Sequence, residues 1–427
     1  MKNRTAIIVS PYFVPSMLAN IHRARHLAKH LPVFGWTPII LCVDEAYHEE
    51  NLDTDLAALI PSTVEIIRTR ALPARLTRAA GIGEISLRAW WPLRKSLFQL
   101  LKSRRPSVVL ITGSPYFPML FAQAIKRRFG TSVVLDFQDP WVSASGTTSP
   151  ILSKAWIARR LAELLEPRAL RGADYVTSVS EIQNEALAAH YPWLDASRMA
   201  AVAIGGDPDD FSVSAQLASD RQVSFEPGFI HLSYIGTFWP TVTPSVRVLL
   251  AAFRRLRTEM PEVGRRIRLN FIGTSAQPNG ALNYQVKPLA EAEGVSDAIR
   301  EIPQRVPYLS ALSAMVRSDG LLLIGSNEPH YNASKIYPSL MSGRPFLSLF
   351  HRASQAHSIV CSAGGGCNLS FENLEELNKM QASLANGLKI LATANDKLGK
   401  ANPAVYAPYE ARAIAGRYAE IFDLVSK

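Results

Sequence analysis

Short β-branched runs alternate with helix-length segments through most of this chain, and that rhythm restricts it to a small set of folds. Residues 5–10 (TAIIVS), 37–43 (TPIILCV), 64–68 (VEIIR), 107–112 (SVVLIT), 132–137 (SVVLDF) and 174–179 (DYVTSV) read as strands, with helical patterns near 18–31, 115–129 and 151–170. Parallel strands need crossover connections, usually helical, so the alternation predicts an α/β chain whose parallel sheet carries helices on both faces. After GGDPDDF and a polar segment running to about 228, the rhythm restarts at 230–235 (IHLSYI), 267–272 (IRLNFI), 320–325 (GLLLIG) and 345–350 (PFLSLF). Two doubly wound domains are predicted, 1–205 and 228–405, with the boundary between 205 and 228. A last helix from 408 to 427 places Ala411, Ile414, Ala415, Tyr418, Phe422 and Val425 at steps of three and four, suiting a packed stripe.

Composition bounds the class. With 48% hydrophobic and 19% charged residues over 427 positions, the chain has material for two cores and lacks the signature of disorder. Its opening apolar run, Ala6–Val9, is too short for a signal-peptide core, and no stretch approaches the length of a spanning helix. Cys42, Cys361 and Cys367 give neither a disulfide framework nor zinc-ligand spacing. A reducing cytoplasm is the expected setting. The formal charge of +10 is uneven: residues 68–105 carry Arg or Lys at 68, 70, 75, 78, 88, 94, 95, 102, 104 and 105 against a single acid, Glu84. Interleaved with Trp90, Trp91, Leu93, Leu97, Phe98 and Leu101, these cations suit a helix lying on an anionic membrane surface. An ordinary amphipathic helix with a solvated basic face fits the same residues. No nucleic-acid motif accompanies the charge, so no nucleic-acid partner is expected.

In open α/β sheets, ligands bind beyond the carboxyl ends of the strands. Tyr12, Ser114, Asp136, Asp139, Gly236 and Thr237 all fall at such ends. Asp139 stands before Pro140, where an aspartate commonly opens a turn or caps a helix, so structural and chemical roles are both open for it.

Several stretches together resemble glycosyltransferase family four, the nucleotide-sugar enzymes with the GT-B fold. They are SPYFVPSMLANIHRARHLAKHLPVFGWTPIILC, LITGSPYFPM, VVLDFQDPWV, GADYVTSVSE, AIGGDPDDF, LSYIGTF, LNFIG and YNASKIYPSLMSGRPFL, in the family's order and across nearly the whole chain. The resemblance implies two Rossmann-like domains facing across a cleft, the first for the acceptor and the second for a nucleotide-diphosphate sugar, with the last helix returning to the first domain. VVLDFQDPWV resembles a subgroup with an Asp-x-x-Asp-Pro-Trp stretch in the acceptor domain. The departures are specific. The family's paired glutamates, counted back from Pro345, fall on His330 and Pro338, and the subgroup's arginine is Gln138. The arginine and lysine that commonly follow the first donor-domain strand are absent from GTFWPTVTPS.

Under this resemblance Asp139 or Asp136 serves the acceptor hydroxyl or the developing charge on the sugar. Lys335 supplies a charge at the leaving diphosphate, supported by Ser334, Gly236 and Thr237, with Thr243 read as a helix cap and Arg247 as a second cation. Glu328 stands near the missing glutamates as a substitute for ribose recognition. Tyr12, Ser114 and His22 lie on the acceptor side, and His22 also reads as a capping or surface histidine. No cofactor and no metal ion are expected to be required. The predicted activity is a retaining transfer from a nucleotide-diphosphate sugar to a polysaccharide or lipid-linked glycan precursor, on a cytoplasmic protein peripheral to the inner membrane face. A GT-B nucleotide-sugar epimerase or hydrolase, and a silent glycan-binding or scaffold protein, remain as alternatives.

Overall fold

The computed structural model describes residues 4–142, 149–217, 223–275, 283–328 and 334–426. The chain forms two compact units, Met1–Ile204 with Ala411–Lys427, and Gly205–Glu410.

The first unit is built on a seven-stranded sheet, β1 Thr5–Val9, β2 Thr37–Val43, β3 Glu65–Thr69, β4 Val108–Gly113, β5 Ser132–Phe137, β6 Tyr175–Ser178 and β7 Met199–Ala201. All pairings are parallel, in the order β3-β2-β1-β4-β5-β6-β7. The central strands are apolar along their whole length because both faces are covered; every residue of β4 is buried. On one face, Ile7, Val9, Ile111, Val133 and Leu135 pack with Leu93, Leu97, Ile125 and Ala169, which come from helices Trp90–Arg104, Ala122–Phe129 and Lys154–Leu170. Alternation turns Val134 and Asp136 to the other face. There helix Ile21–His30 packs against helix Ala411–Val425, whose buried Ala411, Ile414, Ala415, Tyr418 and Phe422 follow the periodicity read from the sequence.

The second unit holds a six-stranded parallel sheet, β8 Ile230–Ile235, β9 Ile267–Ile272, β10 Ile299–Ile302, β11 Gly320–Ile324, β12 Phe346–His351 and β13 Gly366–Phe371, in the order β10-β9-β8-β11-β12-β13. Its core joins Leu232, Leu269, Phe271, Leu322 and Leu347 to Leu249, Phe253 and Leu256 of helix Thr243–Glu259, and to Leu384, Leu388 and Leu391 of helix Gln381–Thr393. The helix Asp209–Leu217, which follows the boundary, belongs to this unit and packs on helix Tyr308–Arg317. In each sheet the order reverses once, between β1 and β4 and between β8 and β11. The loops leaving those strands flank a topological switch point, where ligands bind in folds of this kind.

Candidate functional site

In the first unit, register places Asp136 opposite Thr177 and Phe137 opposite Gly113. Asp136 is fully buried, as is Arg23, whose Nε donates to its Oδ2 at 3.2 Å. Thr177 and Tyr418 donate to Oδ1 at 2.9 and 2.7 Å. Arg23 also donates to the main-chain oxygens of Val202 and Ala203, the latter at 2.8 Å. One carboxylate thereby ties β5 and β6 to the first helix, the chain's exit from the unit and the returning helix. A buried ion pair survives only with its remaining hydrogen bonds satisfied, and these are. The two aspartates read together in the sequence therefore sit in different surroundings, with Asp136 spent on architecture.

Asp139 lies beyond β5 and is exposed. Its main-chain oxygen accepts from the Tyr116 hydroxyl at 2.8 Å, and the Tyr116 ring stacks on Trp141 at 5.3 Å. Asp139 keeps solvent-reachable surface, yet protein on its other sides raises its carboxyl pKa above the ordinary aspartate value. Burial, then the charge of Asp139, pushes the Tyr116 phenol well up. Gly113 is required below this ring, since an added Cβ would meet it at 2.5 Å. Ser114 is held through its main-chain oxygen by the Asn20 side-chain amide. Gln138, at the position of the missing arginine, donates from its main-chain N–H to Gly113 at 2.9 Å and from its side chain to the Asn20 oxygen at 3.2 Å. The side-chain oxygens of Asn20 and Gln138 are both buried without a donor among the described residues. Unmet acceptors of this kind are what a ligand hydroxyl satisfies.

Tyr12 follows β1 and stands edge-on to the His48 ring at 5.2 Å. Burial and the nearby Glu50 raise its phenol pKa. Glu50 accepts from Ser16 at 2.6 Å and lies 3.3 Å from His48 Nδ1. His22 is the second residue of helix Ile21–His30 and is half-buried, and its Nδ1 receives the Arg25 guanidinium at 3.3 Å.

In the second unit, Gly236 and Thr237 follow β8. Gly236 has φ +153, and a methyl group added to it would lie 2.6 Å from Lys335 Nζ, so a residue without a side chain lets the ammonium rest against the backbone. Lys335 keeps solvent-reachable surface although protein surrounds it closely. That desolvation, followed by the charge of Arg305 beyond β10, brings its pKa down to about 8. Asn327, beyond β11, donates its main-chain N–H to Thr241 at 3.3 Å and joins the two switch-point loops. Thr237 accepts from the Tyr234 hydroxyl through its main-chain oxygen at 2.9 Å. Ser334, Glu328 and Arg247 are exposed. Glu328 donates its main-chain N–H to Ser326 at 3.2 Å. His330 and Asn332 lie outside the described residues.

Two local expectations differ from the structure. Thr243 is inside its helix, not a cap: a tight turn over Pro240–Val242 runs directly into it and Val242, with helical backbone angles, holds the cap position. In the basic stretch, Arg88 is 2% exposed and donates to the main-chain oxygens of Tyr47, Leu72 and Gly83, so it cannot face a membrane. Arg68, Arg78 and Arg104 pair with Glu45, Glu49 and Glu65, acids that precede the stretch, which lowers its local charge below the linear count.

Sequence reasoning missed Arg23, Tyr418, Arg305 and the Tyr116–Trp141 stack. A helix reading of NIHRARHLAKH puts Arg23 beside the apolar positions Ala24 and Leu27, and an arginine there needs a buried partner. Nothing in the sequence names that partner, because Asp136 is far away along the chain.

Residues 21–205 match the glycosyl transferase 4-like domain family. No curated protein matches the sequence. Solved structures align over almost the full chain. An α,α-trehalose-phosphate synthase from Burkholderia vietnamiensis superposes with a TM-score of 0.64 at 12% identity, over 99% of this chain and 100% of that one. The Anabaena HepE protein in complex with UDP-glucose gives 0.61 at 13%, over 98% and 99%. WaaG, a glycosyltransferase involved in lipopolysaccharide biosynthesis, gives 0.59 at 13%, over 98% and 99%. Residues 21–205 thus carry a glycosyl transferase 4-like domain, and the two parallel Rossmann-like sheets share the fold of these solved glycosyltransferases.

Proposed function

We propose that this chain is a glycosyltransferase that transfers a sugar, with retention at the anomeric carbon, from a nucleotide-diphosphate sugar to a hydroxyl of a lipid-linked or polysaccharide precursor. The observation that carries the reading is the Lys335 ammonium resting on Gly236 at the switch point of the second sheet, with Arg305 as a second cation acting on it. A lysine against a strand-end glycine, with a second cation near enough to lower its pKa, suits the phosphates of a leaving group. The neighbouring HepE structure holds UDP-glucose, which supports the same donor class here.

In the transfer, the acceptor oxygen bonds to the anomeric carbon and the bond from that carbon to the diphosphate oxygen breaks. The electron pair leaves with the diphosphate, and Lys335 stabilises it. The acceptor proton passes to a base, and Asp139 takes that role, since a raised carboxyl pKa makes a stronger proton acceptor. Asn20 and Gln138 receive acceptor hydroxyls through their unmet oxygens, with Tyr12, Ser114 and His22 along the same strand ends. Glu328 takes the ribose hydroxyls, and Ser334, Thr237 and Arg247 flank the donor. With Lys335 supplying the charge at the leaving diphosphate, no metal ion is required in this reading, so chelators should leave turnover unchanged. WaaG acts in lipopolysaccharide biosynthesis, which supports a lipid-linked acceptor.

The test is product analysis. Incubation with a panel of nucleotide-diphosphate sugars and membrane glycolipid should release the nucleoside diphosphate and give a glycoside whose anomeric configuration matches the donor. Inversion at that carbon would rule out the retaining course, and free sugar or epimerised donor as the main product would replace transfer with hydrolysis or epimerisation.

A further inference from the structure

Helix Lys154–Leu170 turns Ala162, Glu166, Ala169 and Leu170 inward. Those positions leave the opposite face to Ile157, Leu161, Leu164 and Arg168, spaced by four, three and four. The apolar members are open: Ile157 is 51% exposed, Leu161 40% and Leu164 53%, and the preceding Ile151 and Leu152 are 77% and 74% exposed. A run of large aliphatic side chains on one helix face is not what water selects.

We infer that this face is a docking surface for an anionic lipid bilayer, beside the acceptor end of the first unit. It rests on the reading of the acceptor as lipid-linked. Charge selects the occupant. Lys154 and Arg168 are exposed along the stripe. The acids of the helix are engaged elsewhere: Glu163 with Arg159 and Arg160 at 2.8 and 2.9 Å, and buried Glu166 with the Tyr191 hydroxyl at 2.8 Å. A second copy of the chain docked face to face would bring these cations against themselves, whereas anionic headgroups neutralise them.

Position supports the same occupant. The helix follows β5 and leads into the parallel strand β6, so it runs back along the sheet and its N-terminal end lies at the strand ends that carry Asp139. Helix Trp90–Arg104 covers the same sheet face and begins at the same edge, after β3. There Trp91 is 70% exposed, with the Arg94 guanidinium 5.9 Å from its ring, and Leu72 and Leu76 are 57% and 66% exposed. Two apolar and basic segments thus border one edge, as a membrane-seated surface requires.

The experiment is sedimentation of the full chain with vesicles of equimolar phosphatidylglycerol and phosphatidylcholine, and separately of phosphatidylcholine alone, without nucleotide. Thermal unfolding and nucleotide-diphosphate-sugar binding are measured without vesicles. The wild-type chain should bind the anionic vesicles. Ile157→Glu/Leu161→Glu/Leu164→Glu should lose roughly a hundredfold in affinity at unchanged unfolding temperature and donor binding. The Ser triple at the same positions gives the same readout if the acidic one unfolds. Lys154→Gln/Arg168→Gln should lose about thirtyfold. Wild-type protein that ignores anionic vesicles, or acidic variants that bind as well, would overturn the surface, as would a wild-type dimer that ignores vesicles and that the triple substitution splits. Donor binding without vesicle binding defeats this inference alone, and vesicle binding without donor binding defeats the proposed transfer reaction alone.

Discussion

The two units treat charge in opposite ways. In the first unit, the Asp136 carboxylate meets Arg23, Thr177 and Tyr418, all inside the protein. In the second, Lys335 has no acidic partner among the described residues, and its electrostatic neighbour is another cation, Arg305. A charge whose partners are all internal holds a fold together. A charge pressed against backbone and a like charge is costly until an anion arrives. The contrast separates architecture from binding more sharply than residue type does, since the sequence reads Asp136 and Lys335 alike as candidates for chemistry and only their partners tell them apart.

The largest expected effect is on the architectural side. Asp136→Ala leaves the Arg23 guanidinium buried without its partner and should cost about 3–5 kcal/mol in denaturant unfolding. A loss under about 1 kcal/mol would mean that the network is not what joins the helices to the sheet. Asp139→Asn, in contrast, should leave unfolding nearly untouched and lower turnover roughly a hundredfold, the scale of one lost acid–base group. If stability falls and the turnover of the folded fraction holds, Asp139 is turn punctuation and the comparison narrows to one unit.

Acidity gives a finer test. Lys335, with its pKa brought down to about 8, should be charged below that pH, and a bound diphosphate would raise its pKa again. Nucleoside-diphosphate affinity should therefore be full below pH 8 and decline as pH rises through it. Calorimetry in buffers of different ionisation enthalpy should show proton uptake near pH 8, and affinity flat from there into the alkaline range would remove Lys335 from the phosphates. The smallest effect is expected at Glu328, which is exposed. Glu328→Gln should weaken donor binding by roughly fivefold, one modest hydrogen bond, and leave 2′-deoxy donors unaffected. Equal losses for both donors would take Glu328 off the ribose.

Much of this fold is legible in the sequence because its inner strands are buried on both faces. VVLIT and SVVLDF carry the unbroken apolar runs that such strands need. The strands missed by that reasoning are β7, β10 and β13, and all three lie at sheet edges. IREI alternates charge with apolar side chains and is only half-buried, and GCNLSF opens on glycine and carries polar residues. An edge strand has one neighbour and a weaker signal, and the fourth edge strand, β3, is legible only because VEIIR keeps three apolar β-branched residues. At the site, strand ends can be read as positions, so Gly236, Asp139 and Ser114 are named as candidates from the pattern alone. Partners could not: Arg23 with Asp136, or Arg305 with Lys335, are joined only by the fold. The count of ten cations against one acid in residues 68–105 stands, but its local charge could not be read for the same reason, since its balancing acids lie earlier in the chain.

The central claim, that Lys335 holds a diphosphate, is tested most directly by calorimetric titration of wild type and Lys335→Ala with UDP and with uridine at neutral pH, UDP being the nucleotide of the HepE complex. The account predicts that the substitution weakens UDP binding by about ten- to a hundredfold, the worth of one charged hydrogen bond, and leaves uridine binding unchanged. Equal losses for both ligands, or none for UDP, would contradict it.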